Sequence, residues 1–199
     1  MGRGRRWLAG ILIIIGAGII VYPFVPRLIY YLHHPTPTLP YVTRLTANSA
    51  VIKDLPHLPT IENKPVPKEN RLLIPTIGVN MPILEGPNER TLDRGGIWHI
   101  PGTATPDQNG NFVVSGHRWQ YLPPSSLTLY LLDKVKNGDP VIVYWRGLEY
   151  DYRIYGRATI TPDRTDIQAP TNGPRLTIYT CTPLFSTKYR LVLFGQLIP

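Results

Sequence analysis

The sequence contains very little cysteine, and this shortage excludes two kinds of protein. One cysteine, Cys181, occurs among 199 residues, so no internal disulfide can form and the core alone must hold the fold together. No His/Cys pair has the spacing of metal ligands, so we do not predict a bound metal. Asp163 and Asp166 share a loop with Arg164 between them, and we interpret both as loop acids and not as calcium ligands.

Acidic residues are also scarce, and the resulting positive charge is unevenly distributed. The chain has 21 Lys and Arg against 13 Asp and Glu, for a formal net charge of +8. Residues 1–68 carry eight basic and two acidic side chains, whereas residues 69–199 carry thirteen and eleven. A domain so close to neutrality lacks the field that attracts a phosphate backbone, so we do not expect a nucleic-acid partner.

Only one long apolar run is present, and it lies near the N-terminus. Residues 7–25 contain no charge and follow three arginines. Nineteen helical residues at about 1.5 Å each are long enough to cross a hydrocarbon core of about 30 Å. We expect an uncleaved membrane anchor, with the N-terminus cytoplasmic and the remainder extracytoplasmic by the positive-inside bias. A cleaved signal peptide is the competing interpretation.

The composition predicts three regions. Residues 1–25 form the cytoplasmic N-terminus and anchor, and residues 26–68, with eight prolines and no sustained period, form an extended stem outside the membrane. A short helical turn is predicted within this stem at Ala47–Leu55. Residues 69–199 form the folded domain.

Short apolar runs separated by turn residues predict that this domain is mainly β. With 22 prolines and 17 glycines, an all-helical fold is excluded. Seven or eight strands indicate a mainly antiparallel barrel or sandwich. Tyr152 and Ile154 alternate with Arg153 and Tyr155, as in a strand with one solvated face. The best helical candidate is Ser126–Lys136, which Asn137 and Gly138 would close.

Three residues of the domain could together carry thiolate chemistry. Cys181 ends the run TIYTC, His117 follows the strand NFVVS through Gly116, and Arg190 begins the last apolar run. An imidazole can take the proton of a thiol, and a guanidinium can stabilise an oxyanion. Gly116 would let the backbone turn and leave the imidazole at the mouth of the strand.

Each of these residues also has a structural interpretation. Cys181 could be a buried inert thiol, His117 a hydrogen-bonded histidine, and Arg190 a solvated residue at a strand end. His99 is interpreted as a structural or substrate-lining residue.

These segments resemble the sortases, the cysteine transpeptidases of bacterial cell surfaces. TIYTC is similar to the sortase TLxTC signature, with Ile178 in place of leucine. GNFVVSGHR resembles the segment that carries the family's histidine, HIPGTATPD is typical of the region before it, and RLLIPTIGVNMPILEG resembles the opening strands. The resemblance covers essentially all of residues 70–199.

The resemblance implies an eight-stranded β-barrel with one or two short helices, preceded by a transmembrane helix. Cys181 would be the nucleophile, His117 the general acid/base and Arg190 the stabiliser of the oxyanion and substrate, with Thr180 helping to position the substrate. The enzyme would cleave an LPxTG-like sorting motif of a surface protein through a thioacyl intermediate, without a cofactor. It would then transfer the protein to an amine such as a peptidoglycan precursor or a pilin lysine.

Two alternatives remain open from the sequence. One is an extracytoplasmic cysteine peptidase, although papain-like enzymes generally have the cysteine before the histidine. The other is a tethered binding domain in which Cys181 is inert.

Overall fold

The strands of the domain form a closed barrel around a core of apolar side chains. The computed structural model describes residues 3–32, 67–120 and 125–198. In chain order the strands are β1 Arg71–Ile74, β2 Val79–Leu84, β3 Ile97–His99, β4 Asn111–Gly116, β5 Pro140–Trp145, β6 Leu148–Ile160, β7 Arg175–Thr182 and β8 Tyr189–Leu197. Their order around the closed barrel is β1-β2-β3-β4-β7-β8-β6-β5, which confirms the predicted eight-stranded barrel.

The barrel contains two parallel pairings in an otherwise antiparallel sheet. β2 pairs with β3 and β4 pairs with β7 in parallel. The β4–β7 pairing matters for function because parallel neighbours bring their carboxyl ends to the same edge of a sheet. β8 then runs antiparallel to β7 and returns from that edge.

The interior is filled by side chains that alternate along each strand. On β6, Tyr152 and Ile154 are buried whereas Tyr155 is 51% exposed, as the alternation predicts. Leu176 and Ile178 of β7 and Phe112 and Val114 of β4 belong to the same apolar core. The inward positions of β4 and β7 are therefore the even-numbered residues.

The predicted helix over Ser126–Lys136 is wrong. The structure has a single 3₁₀ turn at Leu132–Lys134 in this segment. The backbone of this segment is hydrogen-bonded to the barrel instead. The Leu129 N–H donates to the His117 carbonyl (2.8 Å), and the Asn80 N–H donates to the Ser126 carbonyl (3.1 Å). These bonds replace the i to i−4 ladder that a helix would need.

The N-terminal region is helical. Helix α1 spans Arg3–Val21 and helix α2 spans Val25–Leu32, with a 3₁₀ turn at Tyr22–Phe24 between them. The stretch Arg6–Phe24 is long and apolar enough to cross a membrane. Helix α2 extends into the predicted stem, whose extended form is therefore wrong at its first residues. Most of the stem, with Ala47–Leu55, lies outside the described residues.

Candidate active site

One edge of the barrel brings His117, Cys181 and Arg190 onto three neighbouring chain segments. Cys181 lies near the end of β7 and is paired in register with Arg190 on β8. β4 and β7 run in parallel with Ser115 opposite Tyr179. β4 ends at Gly116, and continuing the register for two residues beyond the paired part would place His117 opposite Cys181, with both side chains on the same face.

The imidazole of His117 is half-buried, and its burial favours the neutral form. Burial lowers the pKa of His117 from its ordinary value of 6.5, while the carboxylates of Asp93 and Glu89 partly oppose this shift. Within the described residues, the buried Nε2 atom has no hydrogen-bond partner. A neutral imidazole with an unpaired ring nitrogen can accept a proton.

Gly116 does not make the sharp turn that the sequence predicts before His117. It is the last residue of β4, and its φ angle is outside the left-handed region. A Cβ atom at this position would lie 2.9 Å from Cδ1 of Leu129, which is closer than side-chain atoms pack. The glycine is therefore explained by the close packing of the Leu129 segment beneath the site.

Thr180 is buried and is hydrogen-bonded to the histidine-bearing segment. Its side chain is 1% exposed, and its hydroxyl donates to the Gly116 carbonyl (2.7 Å). Any effect of Thr180 on the substrate would thus act through the backbone of β4 and β7, and its positioning role stays a prediction.

The side chain of Arg190 turns back onto its own loop and keeps donors available. Its Nη1 atom donates to the carbonyls of Thr187 (2.8 Å) and Tyr189 (3.3 Å). A guanidinium has five N–H donors, so Nε and Nη2 can still bind an oxygen of a bound molecule. Burial raises the pKa of Tyr179, and the hydrogen bond with Ser115 and the positive charge of Arg190 reduce that increase.

His99 is not brought to Cys181. It lies opposite Val114 on β4, short of the strand end, and is 5% exposed. Its ring is hydrogen-bonded to Glu85 through Nδ1 (2.8 Å) and to the Ala104 carbonyl through Nε2 (3.1 Å). These contacts join β3 to the residue that follows β2 and to the loop that follows β3.

The two loop acids near Arg164 do not form a metal site. Arg164 donates to both carboxylate oxygens of Asp166 (2.6 and 2.8 Å). Across residues 3–32, 67–120 and 125–198, no group of three or more His, Cys, Asp or Glu side chains could hold a metal ion.

Sequence reasoning missed Arg118, which is the residue after His117. The residue is 3% exposed as a whole, and its side chain reaches the Cys181 carbonyl. Phe112, Val114 and Gly116 set the inward-facing positions of β4, and position 118 continues them. A charged residue at an inward position is the signal that could have found it, because buried charges need partners.

Similar proteins identify the family. A family model described as Sortase domain matches residues 72–198. The chain is 33% identical over 145 residues to Sortase SrtE1 of Streptomyces coelicolor, covering 64% of this chain and 39% of that relative. It therefore spans well under half the length of this curated relative.

Two solved structures are similar to the barrel. A Clostridium perfringens Sortase D5 transpeptidase is 28% identical, with a TM-score of 0.58, and the match covers 66% of this chain and 79% of that chain. Sortase E1 from Streptomyces coelicolor, crystallised with a tripeptide in its active site, is 27% identical with a TM-score of 0.57, covering 68% and 90%. By its family match, its closed barrel and its arrangement of strand ends, the chain belongs to the sortase family.

Proposed function

We propose that this chain is a membrane-anchored cysteine transpeptidase in which Cys181 is the nucleophile, His117 the general acid/base and Arg190 the stabiliser of the oxyanion. The observation that carries the proposal is the pairing of Cys181 with Arg190 at the edge of the barrel where β4, which precedes His117, also ends. Membership of the sortase family supports the same chemistry. The printed description of the Clostridium perfringens relative as a transpeptidase agrees with it.

The first half of the reaction forms a thioacyl enzyme. His117 takes the Cys181 proton, and the thiolate attacks the carbonyl carbon of the scissile peptide bond. The carbonyl π electrons move to oxygen, and Nε or Nη2 of Arg190 donates to that oxyanion. As the intermediate collapses, the C–N bond breaks, and the His117 imidazolium gives its proton to the departing amine.

The second half transfers the acyl group to an amine. A neutral primary amine attacks the thioester carbon, and His117 accepts the proton that the nitrogen loses. Collapse breaks the C–S bond, so Cys181 leaves as a thiolate that regains its proton from His117. The product is a new amide, and no oxidant, reductant or cofactor is needed.

The substrates follow from the family and are part of the proposal. We expect a surface protein with a C-terminal, LPxTG-like sorting signal as acyl donor. The acceptor is a peptidoglycan precursor or a pilin lysine. The Streptomyces coelicolor relative with a tripeptide in its active site supports a peptide-binding groove at this end of the barrel.

The apolar helix supports a location at the cell membrane. We propose that Arg6–Phe24 crosses the bilayer once, with the N-terminus cytoplasmic and the barrel outside, because arginines precede the span. A labelling reagent that does not cross membranes should modify Cys181 in intact cells if this orientation is correct.

The direct test uses the full chain in detergent, a library of LPxTG-like peptides and a primary amine. Mass spectrometry should find the acyl part of a peptide added to Cys181. When the amine is present, the peptide–amine product should appear. The Cys181→Ala variant is the matched control and should form neither.

Each other outcome contradicts a stated part of the proposal. Hydrolysed peptide with no amine product would indicate a cysteine peptidase. A folded protein that forms no adduct with any peptide, and whose thiol resists alkylation, would indicate a tethered binding domain.

A further inference from the structure

Arg118, the residue after His117, is buried and donates to the backbone of Cys181. Its three guanidinium nitrogens donate to two separate segments. Nε donates to the Tyr130 carbonyl (3.0 Å) and Nη2 to the Asp133 carboxylate (2.7 Å) of the segment before β5, and Nη1 donates to the Cys181 carbonyl (3.4 Å) on β7. Its side chain is 2% exposed and that of Asp133 is 26% exposed. A buried guanidinium with this many partners is held in one orientation.

The bond to Cys181 occurs where the backbone pairing of β4 and β7 has ended. The paired register runs from Asn111 opposite Arg175 to Ser115 opposite Tyr179. Beyond the paired residues, two side-chain hydrogen bonds connect β7 to the end of β4 and the residues after it, one donated from each side. Thr180 on β7 donates to the Gly116 carbonyl, and Arg118 after β4 donates to the Cys181 carbonyl.

These two bonds therefore set the spacing of the segments that carry the imidazole and the thiol. The Arg118 bond is the longer, at 3.4 Å, but its donor is charged and buried, where electrostatic attraction is strong. Asp133 balances the charge, so the main effect of the guanidinium on Cys181 is geometric. The guanidinium makes the bonds to Tyr130, Asp133 and Cys181 at the same time. Only a planar group with several fixed donors can do this, so another side chain would not hold Cys181 in the same place.

We propose that Arg118 is a positioning residue, whose guanidinium fixes the Cys181 backbone and so keeps the thiol within reach of His117. The inference deepens the proposed function and rests on it for the roles of Cys181 and His117. Proximity of reacting groups carries a large part of catalysis, and a displacement of about 1 Å can reduce a rate by about 100-fold.

The test compares Cys181 alkylation by iodoacetamide over a range of pH with the rate of thioacyl formation. In the wild-type chain, a plot of the Cys181 alkylation rate against pH should show a step at the pH where His117 titrates. The His117→Ala variant should lack this step. Arg118→Met should remove the same step and slow acylation by about 100-fold. Arg118→Lys keeps the charge but not the fork, and acylation should fall by about 10-fold.

A double variant separates positioning from folding. Arg118→Met with Asp133→Leu replaces the buried pair by apolar side chains, which often leaves stability unchanged or increases it. This protein should melt near the wild-type temperature and still lack the His117 step. Arg71→Met is the matched control, since Arg71 also binds a carboxylate, Glu69, and a carbonyl, Asn80, but on β1.

The outcomes distinguish this proposal from the proposed function. A folded double variant or Arg118→Lys chain with the wild-type alkylation profile and acylation rate would overturn the positioning role alone. If the wild-type chain acylates no peptide but its alkylation step depends on Arg118, the positioning role stands and the transpeptidase function fails. An equal loss in Arg71→Met would overturn the specific role of Arg118.

Discussion

The parallel strands β4 and β7 carry polar side chains at both ends, and the two ends differ in how completely these groups are hydrogen-bonded. Where both strands begin, the Asn111 amide donates to the Ile167 (2.8 Å) and Ala169 (3.1 Å) carbonyls. Its oxygen accepts from the hydroxyl of Thr177 (2.7 Å). Asn111 is 1% exposed, so this network, the Asn111 cluster, ties the loop before β7 to the barrel.

The opposite end leaves some groups available. Within the described residues His117 Nε2 has no partner, and Cys181 is only partly buried. A buried polar atom without a partner costs free energy, and such atoms concentrate where a bound molecule completes the site. The start of the strand pair thus stabilises the fold through the Asn111 cluster, whereas its other end keeps groups that the proposed chemistry would use.

The largest expected effect is the loss of activity in Cys181→Ala. Removing the nucleophile should reduce transpeptidation by about 1,000-fold or more. The free energy of unfolding should change by less than about 1 kcal/mol, because the side chain is small and partly exposed. Peptide–amine product and thermal melting measure the two effects. Unchanged activity in cells would support the tethered binding domain instead.

The reverse pattern is expected for Asn111→Ala. Truncation removes the donor to the Ala169 carbonyl, one of the two donors to the Ile167 carbonyl and the acceptor of the buried Thr177 hydroxyl, so the free energy of unfolding should fall by about 3 kcal/mol. Iodoacetamide should alkylate Cys181 at nearly the wild-type rate. Chemical denaturation and alkylation measure the two quantities.

Asn109→Ala is the matched control for this substitution. Asn109 is exposed and makes a single bond to the Asn172 carbonyl (3.0 Å), so its loss should cost less than about 1 kcal/mol. Equal losses in both variants would contradict a special role for the Asn111 cluster.

Much of this arrangement could be predicted from the sequence, because the signals are local. Period-two alternation predicts β6. The apolar run that ends in Cys181 and the one that begins at Arg190 are consecutive, and they form a hairpin in which these two residues are paired. The motif order identified the family. The three residues of β3 were missed, since Ile97–His99 is too short to show a period.

The rest depends on tertiary contacts that no local pattern encodes. The apolar spacing of Ser126–Lys136 favours a helix, but its backbone groups bind β2 and the His117 segment. A side chain at position 116 would come close to Leu129, which belongs to that same segment. The partners of Arg118 are distant in sequence, so a buried charge was predictable only after the inward face of β4 was known.

An intermediate effect is expected from two threonines at opposite ends of β7. Thr177→Val and Thr180→Val each remove one buried hydroxyl bond, to Asn111 and to the Gly116 carbonyl. Each should lower the free energy of unfolding by about 1–2 kcal/mol. Only Thr180→Val should also slow Cys181 alkylation. Its bond connects the segments that carry the thiol and the imidazole, whereas the bond of Thr177 lies nearer the start of β7.

Each threonine variant is the control for the other, because the substitution and the burial are the same. Denaturant unfolding and alkylation rates should be measured on both. A slower alkylation in Thr177→Val would show that the two ends of the strand pair are coupled.

The smallest expected effect concerns the pH at which His117 becomes charged. Burial lowers the pKa of His117, so the imidazole is neutral above its depressed value and the acid limb of Cys181 alkylation should lie below pH 6.5. The carboxylate of Asp93 favours the imidazolium and raises the pKa. Asp93→Asn should therefore move the acid limb to still lower pH, and Glu89→Gln should move it in the same direction.

Asp139→Asn is the control, because the carboxylates that act on His117 are those of Asp93 and Glu89, whereas that of Asp139 accepts from the Lys136 N–H (2.8 Å). It should leave the acid limb unchanged. Added salt should reduce the Asp93 effect, since an exposed charge is screened. An acid limb that shifts upward in Asp93→Asn, or equally in Asp139→Asn, would mean that local electrostatics at the Cys181 end do not set the protonation of His117.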